Sequence, residues 1–146
     1  MTFLLDVSVL IALIDTLHVS HDAAHLWFER EGKPHWATCP ITENGLVRII
    51  SNPKYPNATE TPNQALQLLT NLTHLSGHEF WPDDISVTDA LHINGANLLT
   101  AGQITDTYLL ALAVKRKASL ATLDRRLTAL AVHRGVESLH VIGNMP

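Results

Sequence analysis

The segment TFLLDVSVLIALID, residues 2–15, decides the fold, because a strand and a helix meet in it around one acid. Its first residues are apolar as far as Asp6 and predict a short buried strand. The apolar residues that follow predict a helix too apolar to lie on an open surface. The segment contains no basic residue that could pair with Asp6. A buried unpaired carboxylate usually takes up a proton, finds a partner or binds a metal ion, so the fold has to explain why an acid stands here.

Strands and helices alternate from this segment to the end of the chain. The patterns predict further strands at residues 35–39, 78–81, 118–124 and 137–143, and helices at residues 21–31, 40–51, 62–75, 104–117 and 124–135, with one or two short helices within 85–99. This alternation predicts an α/β fold, a three-layer α/β/α domain with a largely parallel central sheet. No linker or internal repeat interrupts the 146 residues, so we expect a single domain spanning residues 1–146.

Composition narrows the class of protein. The formal net charge of −4 argues against a protein that simply coats nucleic acid. A single cysteine, Cys39, rules out an internal disulfide and fits a reducing compartment. The N-terminus lacks the pattern of a secretory signal, and no apolar run is long enough to span a bilayer. We therefore expect a cytoplasmic protein that does not bind membranes.

Half of the basic side chains are concentrated in one stretch of the chain. Of the ten Lys and Arg residues, five lie between positions 115 and 126: Lys115, Arg116, Lys117, Arg125 and Arg126. The structural interpretation of such a cluster is a solvated helix end and turn. The functional interpretation is a surface that binds phosphate groups.

Four acids fall at the same edge of the predicted sheet. Strand C-termini and the N-termini of the following helices share that edge in parallel α/β folds, and ligands bind there. Each acid alone has a structural interpretation, as an N-cap or as a partner of the helix dipole. Carboxylates that converge repel one another, so they take up protons or hold a cation. Oxygen ligands favour Mg²⁺ or Mn²⁺. The four acids are Asp6, Glu43, Asp106 and Asp124.

The order of several motifs resembles a known family. The segments DVSVLIALID, ITENGLVRIISNP and ITDTYLLALAVKRKASLATLD, with the closing strand, resemble a PIN domain, and more narrowly the VapC-type ribonuclease toxins of bacterial toxin–antitoxin pairs. The resemblance runs along nearly the whole chain. It implies a Mg²⁺- or Mn²⁺-dependent endoribonuclease whose catalytic and metal-binding residues form an acidic quartet, matched here by Asp6, Glu43, Asp106 and Asp124.

The resemblance also implies supporting residues. Ser8 matches a small hydroxyl position beside the first acid, and Thr105 supports the site while also serving as an N-cap. Many relatives carry a further acid at the position that Arg126 occupies here. The implied reaction is metal-assisted phosphodiester hydrolysis. The five basic residues between positions 115 and 126 would bind RNA phosphates on either side of the cut.

Partners follow from the same resemblance. It implies an RNA substrate, a cognate antitoxin that binds near the acids through an Arg or Lys, and a homodimer formed through apolar helices. The candidate dimer helices are the apolar one after Asp6 and the one that carries Trp27.

Other functions are open at this point. His21 and His25 have a spacing near that of zinc proteases, but Asp22 replaces the Glu that acts as general base. A receiver-type signalling module shares the doubly wound fold and an acid at a strand end, although the sequence lacks its acidic pair after an early strand. A catalytically inactive PIN-like binding domain is the third possibility, and the complete set of four acids argues against it.

Overall fold

The central sheet has five strands, and all of them run parallel. The computed structural model describes residues 1–57 and 60–143. The order across the sheet is β3-β2-β1-β4-β5, which confirms the predicted α/β fold with a parallel sheet. Receiver modules have the order 2-1-3-4-5, so this topology excludes that alternative. The strands are β1 (Phe3–Leu5), β2 (Trp36–Thr38), β3 (His78–Phe80), β4 (Ser119–Thr122) and β5 (Leu139–Val141).

Helices cover both faces of the sheet. The first four pack with one core cluster, around Leu5, Trp36 and Ala121. The fifth packs with the other, around Leu4, Ala37 and Leu120. Neighbouring strand residues thus point to opposite faces, as the pleat requires. The helices are α1 (Val7–Ile14), α2 (His21–Trp27, continued by a π-helical turn over Phe28–Gly32), α3 (Pro40–Ile50), α4 (Pro62–Thr73), α5 (Ile104–Lys115) and α6 (Gly135–Ser138).

Strand register aligns the ends of the three central strands. Leu5 pairs with Ala121 across β1 and β4, and Leu4 pairs with Ala37 across β1 and β2. The residues that follow these pairs therefore emerge side by side at the carboxyl edge of the sheet. This edge carries the site described below.

One predicted helix is wrong, and of the one or two short helices predicted within residues 85–99 a single 3₁₀ turn is present. Residues 124–135 form turns up to Arg134, and α6 begins only at Gly135. Residues 85–99 form turns and one short 3₁₀ helix, Gly95–Asn97. The two regions bind each other: an isolated antiparallel bridge joins Ile93 to Val132, with further backbone hydrogen bonds on both sides of it. These tertiary bonds satisfy backbone groups that a helix would have paired internally.

The apolar helix after Asp6 is buried within one chain. Its residues Val9 to Leu13 are at most 8% exposed, and Trp27 is also 8% exposed. The homodimer stays a prediction, and these buried side chains cannot form its surface. Within residues 1–57 and 60–143, no helix has the length and apolar character to cross a membrane.

Candidate active site

Asp6 follows β1 and is held by three donors. Its Oδ1 accepts a hydrogen bond from the backbone N–H of Val7 at 2.7 Å, so it caps α1. Its Oδ2 accepts hydrogen bonds from Thr122 Oγ1 at 2.7 Å and from Ser8 Oγ at 3.3 Å. The side chain is only 7% exposed. Asp6 is therefore an N-cap and also a buried carboxylate in a fixed orientation.

Thr122 links Asp6 to a second acid. Its hydroxyl donates to Asp6 and accepts from the backbone N–H of Asp124 at 3.0 Å. The register of β1 and β4 makes this contact possible, because Thr122 follows the paired residue Ala121. Burial raises the pKa of Asp6, the three hydrogen bonds lower it, and the negative charge of Asp124 raises it further, with a net upward shift.

Asp106 lies in the first turn of α5 and faces the same charges. Burial, as the largest cause, and the negative charges of Asp6 and Asp124 together raise its pKa to about 6. No hydrogen bond to its carboxylate is found among the described residues. Asp6, Asp106 and Asp124 therefore form one electrostatic group, which we call the acidic triad.

Two cavities meet at Asp106. One, of about 530 Å³, is lined by Asp6, Asp106, Thr105 and residues of α3. The other, of about 440 Å³, is lined by Asp106, Asp124 and Arg126. Solvent and a ligand can thus reach the acidic triad from both sides of α5.

Glu43 lies in the first helical turns of α3 and makes different contacts. Its Oε2 accepts a hydrogen bond from Thr38 Oγ1 at 2.6 Å. The same hydroxyl lies 2.8 Å from Nε2 of His78 on β3. Glu43 lines a third cavity, of about 600 Å³, between α3 and α4. The structure thus places it on the same edge of the sheet but outside the two cavities of the acidic triad.

The two predicted supporting residues lie beside the acids. Besides its contact with Asp6, Ser8 Oγ accepts from the backbone N–H of Leu123 at 3.3 Å. Thr105 is exposed on the wall of the larger triad cavity. Its predicted N-cap role is wrong, because α5 begins at Ile104, the residue before Thr105, and Gln103 is the N-cap. A 3₁₀ turn, Ala101–Gln103, leads directly into the helix.

The predicted RNA-binding residues fall into two places. Arg125 and Arg126 are exposed just after Asp124, and Arg126 Nε lies 3.7 Å from Asp124 Oδ1. The other three lie at the far end of α5, about 14 Å along the helix axis from Asp106 at 1.5 Å per residue. There Lys115 and Arg116 both form ion pairs with Asp84, and Lys117 is exposed with a left-handed backbone (φ 55°). Their RNA-binding role stays a prediction.

Two residues of the larger triad cavity are not among the predicted site residues. Asp83 lines it, and its Oδ1 is buried without a hydrogen-bond partner among the described residues. It follows β3 within three residues, so the edge rule that selected the other acids would also have selected it. Arg48 lines the cavity from α3. Its position depends on Gly45, where a Cβ would lie 2.9 Å from Val7 Cγ2, so glycine lets α3 approach α1.

The carboxylates are close but do not form a preassembled cage. Within the described part of the chain, no group of three or more His, Cys, Asp or Glu side chains is arranged to hold a metal ion. The acidic triad offers oxygen ligands in a site where the charges repel one another. Mg²⁺ is commonly held by only one or two carboxylates and keeps several waters. The donor set therefore fits a hard divalent cation bound by Asp6 and Asp106.

Comparison with known proteins gives consistent matches. Residues 3–132 match the PIN domain family. Ribonuclease VapC44 of Mycobacterium tuberculosis is 42% identical over 132 residues, covering 90% of this chain and 92% of the relative. Ribonuclease VapC39 of the same species is 42% identical over 139 residues, covering 95% of this chain and all of the relative.

Two solved structures share the fold at low sequence identity. The Mycobacterium tuberculosis toxin VapC20, described as cleaving the sarcin-ricin loop, has a TM-score of 0.58 at 10% identity and covers 81% of this chain and 86% of its own. VapBC2 from Rickettsia felis, bound to a DNA fragment from its promoter, has a TM-score of 0.57 at 15% identity. That match covers 86% of this chain and 90% of the other.

Proposed function

The chain belongs to the PIN-domain family, and from this premise we propose that it is a Mg²⁺- or Mn²⁺-dependent endoribonuclease, the toxin of a bacterial type II toxin–antitoxin pair. The observation that carries the proposal is the acidic triad at the carboxyl edge of the sheet, where the three charges act on one another. The relatives named ribonucleases align with nine-tenths or more of the chain and of their own length, which supports RNA as the substrate.

A divalent cation fits the electrostatics of the site. Ionised Asp6 and Asp106 are both disfavoured by burial and by neighbouring negative charge. A bound cation would reverse that cost, and it would orient the scissile phosphate and make a water molecule more acidic. Asp6 and Asp106 are its most direct ligands in this proposal. Asp124 and Glu43 bind it or position water.

The protein's own side chains fix the geometry of the reaction. Three hydrogen bonds hold both oxygens of Asp6 in place, so Asp6 does not have to reorganise when RNA binds. Thr122 couples that position to the backbone of Asp124. Asp106 stands where the two triad cavities meet, so the bond to be cut would lie between them.

Two protein partners belong to the same proposal. The Rickettsia felis neighbour is named as VapBC2, which supports a cognate antitoxin as a partner. In this proposal the antitoxin inserts an Arg or Lys near the acidic triad. The homodimer is the second partner. A sedimentation mass equal to one chain across micromolar concentrations would contradict the dimer and leave the nuclease proposal unchanged.

A cleavage assay tests the proposed activity. Total RNA is incubated with the purified chain and Mg²⁺ or Mn²⁺, in parallel with an EDTA control and with the Asp6→Asn variant. Asn is as good an N-cap as Asp, so this change keeps α1 capped while it removes the charge. Asp22→Asn is the matched control, because Asp22 is an exposed first-turn acid on α2.

Each outcome has a clear meaning. Discrete cuts that need metal, persist in Asp22→Asn and disappear in Asp6→Asn support the nuclease. RNA that binds but is not cut under any metal condition would contradict it and favour the inactive PIN-like binding domain. Cuts that survive in Asp6→Asn would remove Asp6 from the catalytic set.

A further inference from the structure

Three cavities follow one another along the carboxyl edge of the sheet, each sharing lining residues with the next, and we call the three together the trough. The cavity that Arg126 lines joins the larger triad cavity at Asp106. The larger triad cavity in turn joins the α3–α4 cavity at Arg48, which lines both. Among the described residues lining these last two cavities, Arg48 is the only basic one.

Arg48 is free to bind a ligand. It is exposed, and no ion pair to it is found among the described residues. An arginine in the last turn of α3 also interacts favourably with the helix dipole. That role needs only a positive charge near the helix end. It does not account for a position on a wall that also carries Asp6 and Asp106.

The α3–α4 cavity ends at an exposed aromatic ring. Phe80 lies at the end of the edge strand β3, is 55% exposed, and lines the cavity with Leu66, which is 51% exposed. An unpaired base can stack on such a ring, whereas a base inside a duplex cannot reach it. Phe80 ends β3 and Asp6 follows β1, and these two strands are two positions apart in the sheet, which corresponds to about 10 Å between their backbones.

We propose that single-stranded RNA follows this trough, with Arg48 binding a phosphate next to the acidic triad and Phe80 stacking a base of the same strand. The inference rests on the proposed nuclease function, because it supplies the substrate path of that site. It adds two binding residues on the α3 side, opposite Arg126. An RNA strand that runs between Arg126 and Arg48 would bring one of its phosphodiester bonds past Asp6 and Asp106. The charge of Arg48 suits phosphate, and its planar guanidinium can bind two phosphate oxygens.

Binding titrations test the path without cleavage. All variants are made in the Asp6→Asn background, and a short fluorescein-labelled single-stranded RNA of mixed sequence is titrated by anisotropy at several salt concentrations. Arg48→Ala should weaken binding about tenfold and reduce the slope of log affinity against log salt by about 0.7, the value for one lost phosphate contact on a single strand. Arg48→Lys should restore most of the slope.

Phe80 gives a separate signature. Phe80→Ala should weaken binding about tenfold with an unchanged salt slope, because stacking releases no counterions. Phe80→Tyr keeps the ring and should restore affinity. The control for charge is Arg30→Ala, since Arg30 is also exposed but lines a cavity without any residue of the acidic triad. Thermal unfolding of each variant confirms that the fold is kept.

The results separate this inference from the nuclease proposal. If the unchanged chain cuts RNA but Arg48→Ala behaves like Arg30→Ala and Phe80→Ala binds normally, the path is wrong and the nuclease stands. If the chain does not cut RNA but the two signatures appear, the path stands and the nuclease proposal fails. If Phe80→Ala changes the mass of the protein in solution rather than its RNA affinity, the α3–α4 cavity is an interface between copies of the chain and the RNA path is wrong.

Discussion

Asp6 and Glu43 are held in the same way but have different neighbours. Each lies on the carboxyl edge of the sheet, and each accepts a short hydrogen bond from a fully buried threonine at a strand end, Thr122 at 2.7 Å and Thr38 at 2.6 Å respectively. Asp6 also faces the charges of two further acids. The hydroxyl that holds Glu43 contacts His78, whose pKa is lowered by burial.

This difference predicts which of the two acids would gain more from a bound cation. Burial lowers the pKa of His78 and so favours its neutral form, and Glu43 can reach solvent through its own cavity. Asp6 is buried and lies beside negative charges, so its hydrogen bonds only partly offset the cost of ionisation. A cation near Asp6 would offset that cost, whereas Glu43 has the Thr38 donor and access to its own cavity. Of the four acids in the predicted quartet, Glu43 depends most on a side-chain rotation to reach the other three.

The largest expected effect is on the rate of RNA cleavage, and it should differ between variants of Asp6 and Glu43. Asp6→Asn should lower RNA cleavage by about 100- to 1,000-fold, the cost of removing one group that stabilises the transition state. Glu43→Gln should lower it by about tenfold, the size of effect typical of residues that position the ligands of a site. The measurement is single-turnover cleavage of one RNA with Mg²⁺ in excess. Equal losses in the two variants would show that Glu43 turns into the acidic triad when RNA and metal bind.

A stability measurement sharpens the comparison at the threonines. Thr122→Val removes the donor to buried Asp6 and the acceptor for the Asp124 N–H, and should lower the free energy of unfolding by about 1–3 kcal/mol at pH 7. Thr38→Val should cost less, about 0.5–1.5 kcal/mol, because Glu43 can be solvated instead. Urea unfolding gives both values. At acid pH protonated Asp6 needs no donor, so the Thr122→Val loss should shrink; a loss that is independent of pH would contradict this account.

The fold and the acid positions were predictable because both depend on short-range patterns. Alternating apolar strands and helices fix a parallel α/β sheet, and the junction residue Asp6 is placed by the strand that precedes it. The rule that ligands bind at the carboxyl edge then selects Asp106 and Asp124. The helix predicted over residues 124–135 failed because long-range backbone bonds to residues 92–94 replaced local ones.

Side-chain direction was the part that sequence could not supply. Glu43 and Arg48 both lie on α3, but only Arg48 lines the larger triad cavity, and that depends on how closely α3 approaches α1 at Gly45. The ion pairs of Lys115 and Arg116 with Asp84 required the path of the loop after β3. The five basic residues that are clustered in the sequence therefore lie in two separate places on the surface.

A smaller effect on stability tests the repulsion within the acidic triad. The pKa of Asp106 is about 6 in the folded chain against 3.8 as its ordinary value. The folded state therefore holds the proton more tightly, and the charge of Asp106 destabilises the fold progressively as the pH rises from about 4 to 6. Asp106→Asn should stabilise the protein above pH 6 by about 1–2 kcal/mol, after allowance for solvent screening.

The control for this change is the pH dependence itself. Well below pH 3.8, the ordinary pKa of the group, the carboxyl group of Asp106 is protonated in both states, so Asp106→Asn should unfold at nearly the same temperature as the unchanged chain. Thermal unfolding across this range measures the effect. A gain of the same size at every pH would mean that packing, and not charge repulsion, separates the two proteins.

Divalent metal should remove the same repulsion that the Asn substitution removes. In the absence of RNA, Mg²⁺ at ten times its dissociation constant would stabilise the unchanged chain by about 1.4 kcal/mol, as mass action requires for a ligand that binds only the folded state. Asp106→Asn should respond much less, because the ligand and the repulsion are both gone. Glu43→Gln should respond almost as the unchanged chain does, since Glu43 lies outside both triad cavities. If Glu43→Gln loses the response as completely as Asp106→Asn, then Glu43 is a direct ligand, and its bond to Thr38 belongs only to the metal-free state.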